Sequence, residues 1–140
     1  MDKKEILEFI TKNPTGFLAT TDGKKPHVRA FGTFRANEDG IMYFTQSVKD
    51  VYKQMVKYPD IEVCYWANGV QVRVVGKVQA VEDMAIKKAI VEKAPFLKPQ
   101  VDQNGWDYLK VFNMKKAKAT VLDMKGPPSP PGTPKTWIDL

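Results

Sequence analysis

The stretch that decides the fold is residues 40–59, with the sequence GIMYFTQSVKDVYKQMVKYP. Its residues 41–44 are apolar or aromatic and follow a turn-forming Glu-Asp-Gly, which predicts a strand. From Val48 onward apolar residues recur at helical spacing while lysines fill the other face, which predicts an amphipathic helix. Ser47 lies between them as a favourable N-cap, and Asp50 three positions later completes a capping box. The stretch therefore predicts a strand that continues directly into a capped helix.

This joint between strand and helix is a candidate anion site. The first backbone N–H groups of a helix have no acceptor inside the helix, and the helix dipole is positive at this end. Lys49 lies in the predicted first turn, with the hydroxyls of Thr45 and Ser47 beside it. Two interpretations follow from these residues alone, a phosphate site or an ordinary joint with a solvated lysine.

Composition favours one folded domain and limits the kinds of site it carries. The chain has 140 residues, of which 43% are hydrophobic, so it can bury a core of its own. Cys64 is the only cysteine and His27 the only histidine, which excludes an internal disulfide and argues against a zinc site. No apolar run is long enough for a membrane span, and the N-terminus lacks the pattern of a signal peptide. We therefore expect a cytoplasmic protein without a membrane partner.

The net charge of +6 indicates an anionic partner. The lysines are dispersed along the chain and do not form one concentrated stripe, which argues against a nucleic-acid partner. A small molecule that carries a phosphate satisfies the same charge.

The remaining segments predict an antiparallel β-barrel whose openings are covered by helices. Asp2 and Glu5 form the capping box of a first helix, and Glu82-Asp83 starts a later one. Turns such as Asn68-Gly69 join strands that alternate in polarity, which is typical of such barrels. The six predicted strands are residues 15–21, 26–36, 41–44, 61–67, 69–81 and 116–124. For residues 96–110 we expect a loop and a short helix around Trp106, Tyr108 and Leu109.

The C-terminal segment differs from the rest in composition. Residues 126–140, GPPSPPGTPKTWIDL, are too rich in proline for regular helix or sheet. We therefore divide the chain into a domain over residues 1–125 and an extended arm over 126–140. Trp137 and Ile138 are expected to anchor this arm on a partner surface.

Three segments follow one another in an order that carries a family resemblance. They are TGFLATTDGKKPHVRAFG, then GIMYFTQSVKDVYKQM with a Tyr-Pro pair soon after, then VQVRVVGKVQAVED. Over residues 2–124 this order resembles the pyridoxamine 5'-phosphate oxidase-like flavoproteins. The resemblance implies a mainly β fold, a six-stranded antiparallel split barrel with flanking helices. It also implies a homodimer that holds FMN in clefts at the dimer interface.

The resemblance also implies which residues bind the cofactor. Arg29 matches an arginine that binds the FMN phosphate, and a lysine at the start of the central helix shares that phosphate. Lys49 and Lys53 are rival candidates for this lysine. Gln71 matches a glutamine that reaches the flavin from the other subunit. The remaining candidate cofactor-binding residues are Val28, Ala30, Phe44, Thr45, Gln46 and Ser47.

No catalytic motif accompanies these positions: the chain has no Ser-His-Asp set, paired-carboxylate motif, Walker loop or GxGxxG. A flavin supplies its own redox chemistry, so the resemblance implies an FMN-dependent oxidoreductase that acts on a small substrate, with NADH or NADPH as donor. Pyridoxamine phosphate oxidation itself is not expected, because this C-terminus is proline-rich where the true oxidases have a basic segment. Two alternatives remain, a module that binds flavin, haem or deazaflavin without turnover, and a basic barrel that binds nucleic acid.

Overall fold

A computed structural model describes all residues from Met1 to Leu140, and its architecture is mainly β. The helices and strands, in chain order, are α1 (Lys3–Lys12), β1 (Thr15–Thr21), β2 (Pro26–Asn37), β3 (Gly40–Gln46), α2 (Asp50–Lys57), β4 (Asp60–Ala67), β5 (Val70–Lys77), β6 (Gln79–Val81), α3 (Met84–Lys93), α4 (Lys98–Asn104), β7 (Leu109–Met114), β8 (Lys118–Asp123) and β9 (Ile138–Asp139). Two short 3₁₀ helices, Pro95–Leu97 and Trp106–Tyr108, flank α4.

All nine strands belong to one antiparallel sheet, in the order β6-β7-β3-β2-β1-β4-β5-β8-β9. The sheet curls into a half-barrel with helices beside it, which confirms the predicted split-barrel class. The number of strands is nine and not six, because β7 and two short strands add to the predicted set. No helix of this fold has the length and apolar character that crossing a membrane requires.

The main core lies inside the curl of the sheet and is closed by α1 and α2. The predicted capping box of α1 is present, since Asp2 and Glu5 exchange hydrogen bonds with each other's backbone N–H. Behind this cap, α1 buries one apolar face, formed by Ile6, Leu7 and Ile10. A second, smaller cluster lies under α3 and α4, formed by Ile90, Leu97, Val101, Leu109 and Val111.

Gly16 shows how closely β1 and β4 pack in the main core. A Cβ at this position would lie 2.6 Å from a methyl group of Val63 and 2.9 Å from the ring of Tyr65. Any larger residue would therefore overpack the core at a point where only glycine fits.

The predicted start of α2 was wrong. The helix begins at Asp50 with Lys49 as N-cap, and no side chain caps it. Ser47 is instead held in the turn, where its N–H donates to the carbonyl of Tyr108 at 2.9 Å. Pairing between β3 and β7 extends as far as Gln46, and this long-range contact delays the helix. As a result Val48 lies outside the helix and is exposed.

The predicted strand over 69–81 is interrupted at Val78. This residue is buried, and its N–H donates to the carbonyl of Pro59 at 3.0 Å. Before the break, β5 pairs with β4 and β8, and after it β6 pairs with β7 on the other side of the half-barrel. The sequence also gave no sign of β7, which lies between β6 and β3.

The proline-rich arm ends in a short strand, so the prediction that it contains no regular structure was wrong for its last residues. β9 pairs with β8, and the N–H of Leu140 donates to the carbonyl of Ala117 at 2.9 Å. The side chains of Ile138 and Leu140 pack against the main core of the same chain. Ile138 is therefore anchored on its own domain.

Candidate cofactor site

Arg29 lies on the core-facing side of β2 and links three elements. Its Nη1 donates to Thr20 Oγ1 on β1 at 2.6 Å, and its Nη2 donates to Gln54 Oε1 on α2 at 3.1 Å. Longer bonds run from Nη1 to the carbonyls of Leu18, at 3.4 Å, and His27, at 3.3 Å. The Thr20 hydroxyl also donates to Gln54 Oε1, so the arginine is held in a closed network.

All the groups that hold Arg29 are neutral, and no carboxylate lies within ion-pair distance of its guanidinium. Burial lowers the pKa of Arg29, while the charge of Asp50 at the start of α2 acts in the opposite direction. An arginine stays protonated at physiological pH in any case. The network therefore fixes an unneutralised positive charge close to the start of α2, where an anion would be stabilised.

The start of α2 offers hydrogen-bond donors beside this charge. The backbone N–H groups of Asp50, Val51 and Tyr52 have no acceptor, since no side chain caps the helix. Three such donors at the positive end of a helix dipole favour an anionic ligand.

The charges around this helix start are mainly positive. Lys49 and Lys53 are exposed, lie one helical turn apart and take part in no ion pair. Asp50 carries the opposing charge in the first turn. With Arg29, three cations therefore face one carboxylate, and the balance still favours an anion.

The end of β3 contributes an unsatisfied hydroxyl. Thr45 is 2% exposed, and its Oγ1 is buried without any hydrogen-bond partner. Leaving such a group unpaired costs about 1–3 kcal/mol, which a polar ligand atom would recover. The neighbouring Gln46 is also buried, and its carbonyl accepts the N–H of Lys49 at 3.1 Å.

Other predicted site residues lie elsewhere. Val28 and Ala30 are exposed on the opposite face of β2 from Arg29, which we call the outer face of the sheet. Phe44 is half-buried and packs against the cluster under α3 and α4. Gln71 lies on β5, three strands from β2, and its pairing with Trp66 places it on the outer face. Within one chain the structure therefore does not bring Gln71 to the Arg29 network.

Sequence reasoning missed two members of the network, Thr20 and Gln54. Alternation along β1 and β2 places Thr20 and Arg29 on one face, but only the observed register, in which Thr20 pairs with His27, makes them neighbours. Gln54 follows Asp50 by one helical turn, which was the available signal that it faces the same region. No group of His, Cys, Asp and Glu side chains is arranged to hold a metal ion.

Comparison with known proteins identifies the family to which this chain belongs. The family model of pyridoxamine 5'-phosphate oxidase matches residues 2–105. The chain belongs to this family. None of the functionally curated proteins matches it. The family resemblance predicted from the sequence is therefore confirmed.

Solved structures of several proteins share the fold over most of the chain. A nimC/nimA family protein from Clostridium acetobutylicum is 27% identical, with a TM-score of 0.77 over 98% of this chain and 92% of that protein. A pyridoxamine 5'-phosphate oxidase-related, FMN-binding protein from Nostoc punctiforme is 14% identical, with a TM-score of 0.68 over 99% and 95% of the two chains. HutZ, the heme storage protein from Vibrio cholerae, is 15% identical, with a TM-score of 0.62 over 81% and 89%. The shared fold therefore occurs in proteins with different cofactors.

Proposed function

We propose that this chain binds FMN and acts as an oxidoreductase that moves hydride or electrons between a reduced donor and a small substrate. The observation that carries this proposal is the Arg29 network, a fixed and unneutralised guanidinium beside a helix start with free N–H groups. The phosphate of FMN is a dianion, and it requires several charge-assisted hydrogen bonds when it is withdrawn from water.

The residues at the joint between β3 and α2 fit this phosphate. Arg29 would supply a planar fork, and Lys49 or Lys53 a mobile point charge. The N–H groups at the start of α2 would add further donors, and the unpartnered hydroxyl of Thr45 would gain a polar neighbour. When bound, FMN supplies the redox chemistry itself. The chain's part is to hold the cofactor, orient it and exclude water from one side.

The cleft that we propose lies between two copies of the chain. The outer face of the sheet exposes Phe17, Val28 and Trp66, which supports docking of a second copy there. Gln71 lies on this face, and we propose that it reaches the cofactor of the partner subunit across the interface. NADH or NADPH is the donor we propose, and we place the protein in the cytoplasm.

The purified protein tests the proposal directly. We expect a flavin absorption spectrum, and mass spectrometry of the material released on heating should identify FMN. Arg29→Ala should lose most of the flavin, because only the lysines and the N–H groups at the start of α2 would remain to bind the phosphate. Lys24→Ala, on the exposed turn between β1 and β2, removes the same charge away from the site and should retain flavin. Equal flavin content in both variants would contradict the assignment.

A second candidate function is cofactor binding without turnover. The fold is shared with HutZ, which is described as a heme storage protein. Haem iron is often held by histidine, but His27, the only histidine of this chain, pairs through Nε2 with Asp22 at 2.9 Å. This pairing favours flavin over haem. Bleaching of the flavin spectrum by NADH or NADPH would separate an oxidoreductase from a passive carrier.

A further inference from the structure

Arg35 is turned away from the core by a bulge in β2. The register pairs Thr33 with Tyr43 but Arg35 with Met42, so Phe34 is an extra residue on β2. Without the bulge, strict alternation would place Arg35 on the core-facing side with Thr33. The bulge moves it to the face of Met42 instead. Bulges often re-aim a side chain in this way beside functional sites.

On that face Arg35 lines a cavity of about 550 Å³ at the end of the half-barrel, which we call the Arg35 cavity. Lys115 lies in its wall from the turn after β7, and Asn113 from β7 itself. Glu38 and Asp39 of the β2–β3 turn also line it. The cavity is therefore built by three separate parts of the chain.

The polar groups of this cavity are incompletely satisfied. Arg35 Nε is buried without a partner, and Nη2 donates only to Met42 Sδ, at 3.4 Å, which is a weak acceptor. No carboxylate lies within ion-pair distance of this guanidinium. Asn113 donates through Nδ2 to the carbonyl of Asp39 at 3.0 Å, while its Oδ1 is buried without a donor. A half-buried charge and a buried amide oxygen thus both lack partners, which is costly unless a ligand supplies them.

The surroundings of the cavity are positively charged. Lys115 also lines a neighbouring cavity of about 260 Å³ with Lys77, Gln79 and Lys116. Among these lysines only Lys77 has an ion pair, with Asp60 at 3.5 Å.

The carboxylates nearby do not cancel this charge. Glu38 pairs with Lys3 at 2.8 Å, which leaves Asp39 as the free carboxylate of the wall. The cations Arg35, Lys115 and Lys116 therefore outnumber it.

We propose that the Arg35 cavity is a second anion site, which binds a small phosphorylated molecule. The guanidinium of Arg35 would donate hydrogen bonds from its fork to phosphate oxygens, and Lys115 would add a point charge. Asn113 Oδ1 would accept a hydrogen bond from a hydroxyl or N–H group of the same ligand. Arg35 follows Arg29 by six positions on β2, which corresponds to about 20 Å, so one phosphate cannot occupy both sites. This site does not depend on the proposed binding of FMN.

Titration with pyrophosphate tests the site. The protein is used as purified, with whatever cofactor it retains, and binding is measured by calorimetry. Arg35→Gln should weaken binding by about tenfold or more, because it removes the fork, and Lys115→Gln should weaken it less. Lys24→Gln, which removes one exposed charge on the β1–β2 turn, should leave affinity within about twofold. The Arg35 Nε–H signal in NMR should shift on binding in the wild-type chain.

Several results would overturn this proposal. They are no saturable binding of pyrophosphate, equal losses in Arg35→Gln and Lys24→Gln, or an Arg35 Nε–H signal that does not move. Loss of binding in Arg29→Ala together with normal binding in Arg35→Gln would assign the pyrophosphate to the Arg29 network instead. Tighter binding of a single-stranded oligonucleotide than of pyrophosphate would identify the ligand as a nucleic acid and not as a small phosphorylated molecule. Lys115→Gln changes an exposed side chain, so it keeps the test valid if Arg35→Gln fails to fold.

Discussion

Tyr65 joins three strands of the core through one hydroxyl. Its oxygen lies 2.6 Å from Thr33 Oγ1 and 3.1 Å from the Tyr43 hydroxyl, and all three groups are buried. Burial raises the pKa of Tyr65, so the hydroxyl stays protonated and the bonds persist over the ordinary pH range. A buried polar network of this kind is stable only while every member has a partner.

Tyr65→Phe should therefore lower the free energy of unfolding by more than the loss of a single hydrogen-bonded hydroxyl would suggest. It leaves the hydroxyls of Thr33 and Tyr43 without partners, and we expect the free energy of unfolding to fall by about 1–3 kcal/mol. Tyr43→Phe is the matched control, because Tyr65 would still pair with Thr33, and its cost should be about 1 kcal/mol or less. Urea unfolding measures both. Equal losses in the two variants would contradict a central role for Tyr65.

The carboxylate of Asp22 makes the free energy of unfolding depend on pH in the acid range. Its carboxylate pairs with His27 and accepts the N–H groups of Lys24, at 2.8 Å, and Lys25, at 2.9 Å. The bond to His27 first, and then these two N–H groups, hold the pKa of Asp22 well below its ordinary value. A carboxyl whose pKa is lower in the folded state stabilises the fold above its unfolded pKa of about 3.9, and this contribution is lost as the pH falls further.

The urea midpoint of the wild type should therefore exceed that of Asp22→Asn at neutral pH, and the gap should narrow from about pH 5 to about pH 3. All other carboxyl groups titrate in both proteins, so their effects cancel in the difference. A gap that stays constant over this range would show that Asp22 acts only through the geometry of its turn.

At the scale of the elements, the accuracy of the sequence predictions depended on whether a signal was local. The cap of α1, the span of β1 and the start of a helix after Glu82-Asp83 follow from neighbouring residues, and the structure has them as predicted. β7 was missed because its sequence LKVFNM is buried along nearly all its length and shows no alternation. Without β7, the pairing that holds Ser47 out of the helix could not be foreseen.

The prediction of the candidate site from the sequence was limited in the same way. Arg29 and Lys49 could be named from a resemblance that depends on the order of residues along the chain. Thr20 and Gln54 are brought to Arg29 by a strand register and a helix packing that no local pattern specifies. The bulge at Phe34, which re-aims Arg35, also depends on the partner strand and had no sequence signal.

The short strand β9 protects the edge of β8. It pairs with Lys118 and Ala119, and its residue Ile138 and the following Leu140 pack against the main core. Ile138→Ala combined with Leu140→Ala should lower the free energy of unfolding by about 2 kcal/mol, because both side chains lose half-buried apolar area. The variant should also aggregate more readily, since the β8 edge would open more often.

Asp139→Asn provides the control for this prediction. Asp139 is exposed, and its only ion pair, to Lys118 at 3.6 Å, lies on the surface. Such pairs contribute little, so the urea midpoint of this variant should stay close to that of the wild type. An unchanged midpoint in the double variant would mean that the arm ends loosely and leaves the edge unprotected.

At the scale of the whole molecule, the outer face of the sheet is the feature that a single chain leaves unexplained. Phe17, Val28, Trp66 and Leu122 come from four different strands, and each is at least half exposed on this face. Register brings them together, because Phe17 pairs with Ala30 and Cys64, while Trp66 and Leu122 both pair with Gln71. This apolar surface is the one on which we propose that a second copy of the chain docks.

Trp66→Lys should separate the proposed dimer into monomers, because it places a charge in the middle of this apolar face. Phe96→Lys is the control: Phe96 is also apolar and exposed, but it lies on the 3₁₀ helix before α4 and not on any of the four strands that carry these apolar residues. Sedimentation equilibrium should report a dimer for the wild type and for Phe96→Lys. A dimer that survives Trp66→Lys would mean that the two copies meet on another surface.

The flavin content of these two variants then tests whether the site is shared between subunits. Trp66→Lys leaves Arg29, Lys49 and the start of α2 unchanged within its own chain, so any loss of FMN must come from the missing partner. If Gln71 reaches the cofactor across the interface, the monomer should retain much less flavin than Phe96→Lys, and added FMN should bind it more weakly. A monomer that keeps its full flavin would show that the Arg29 network binds FMN alone, and the cleft between subunits would lose its role in binding.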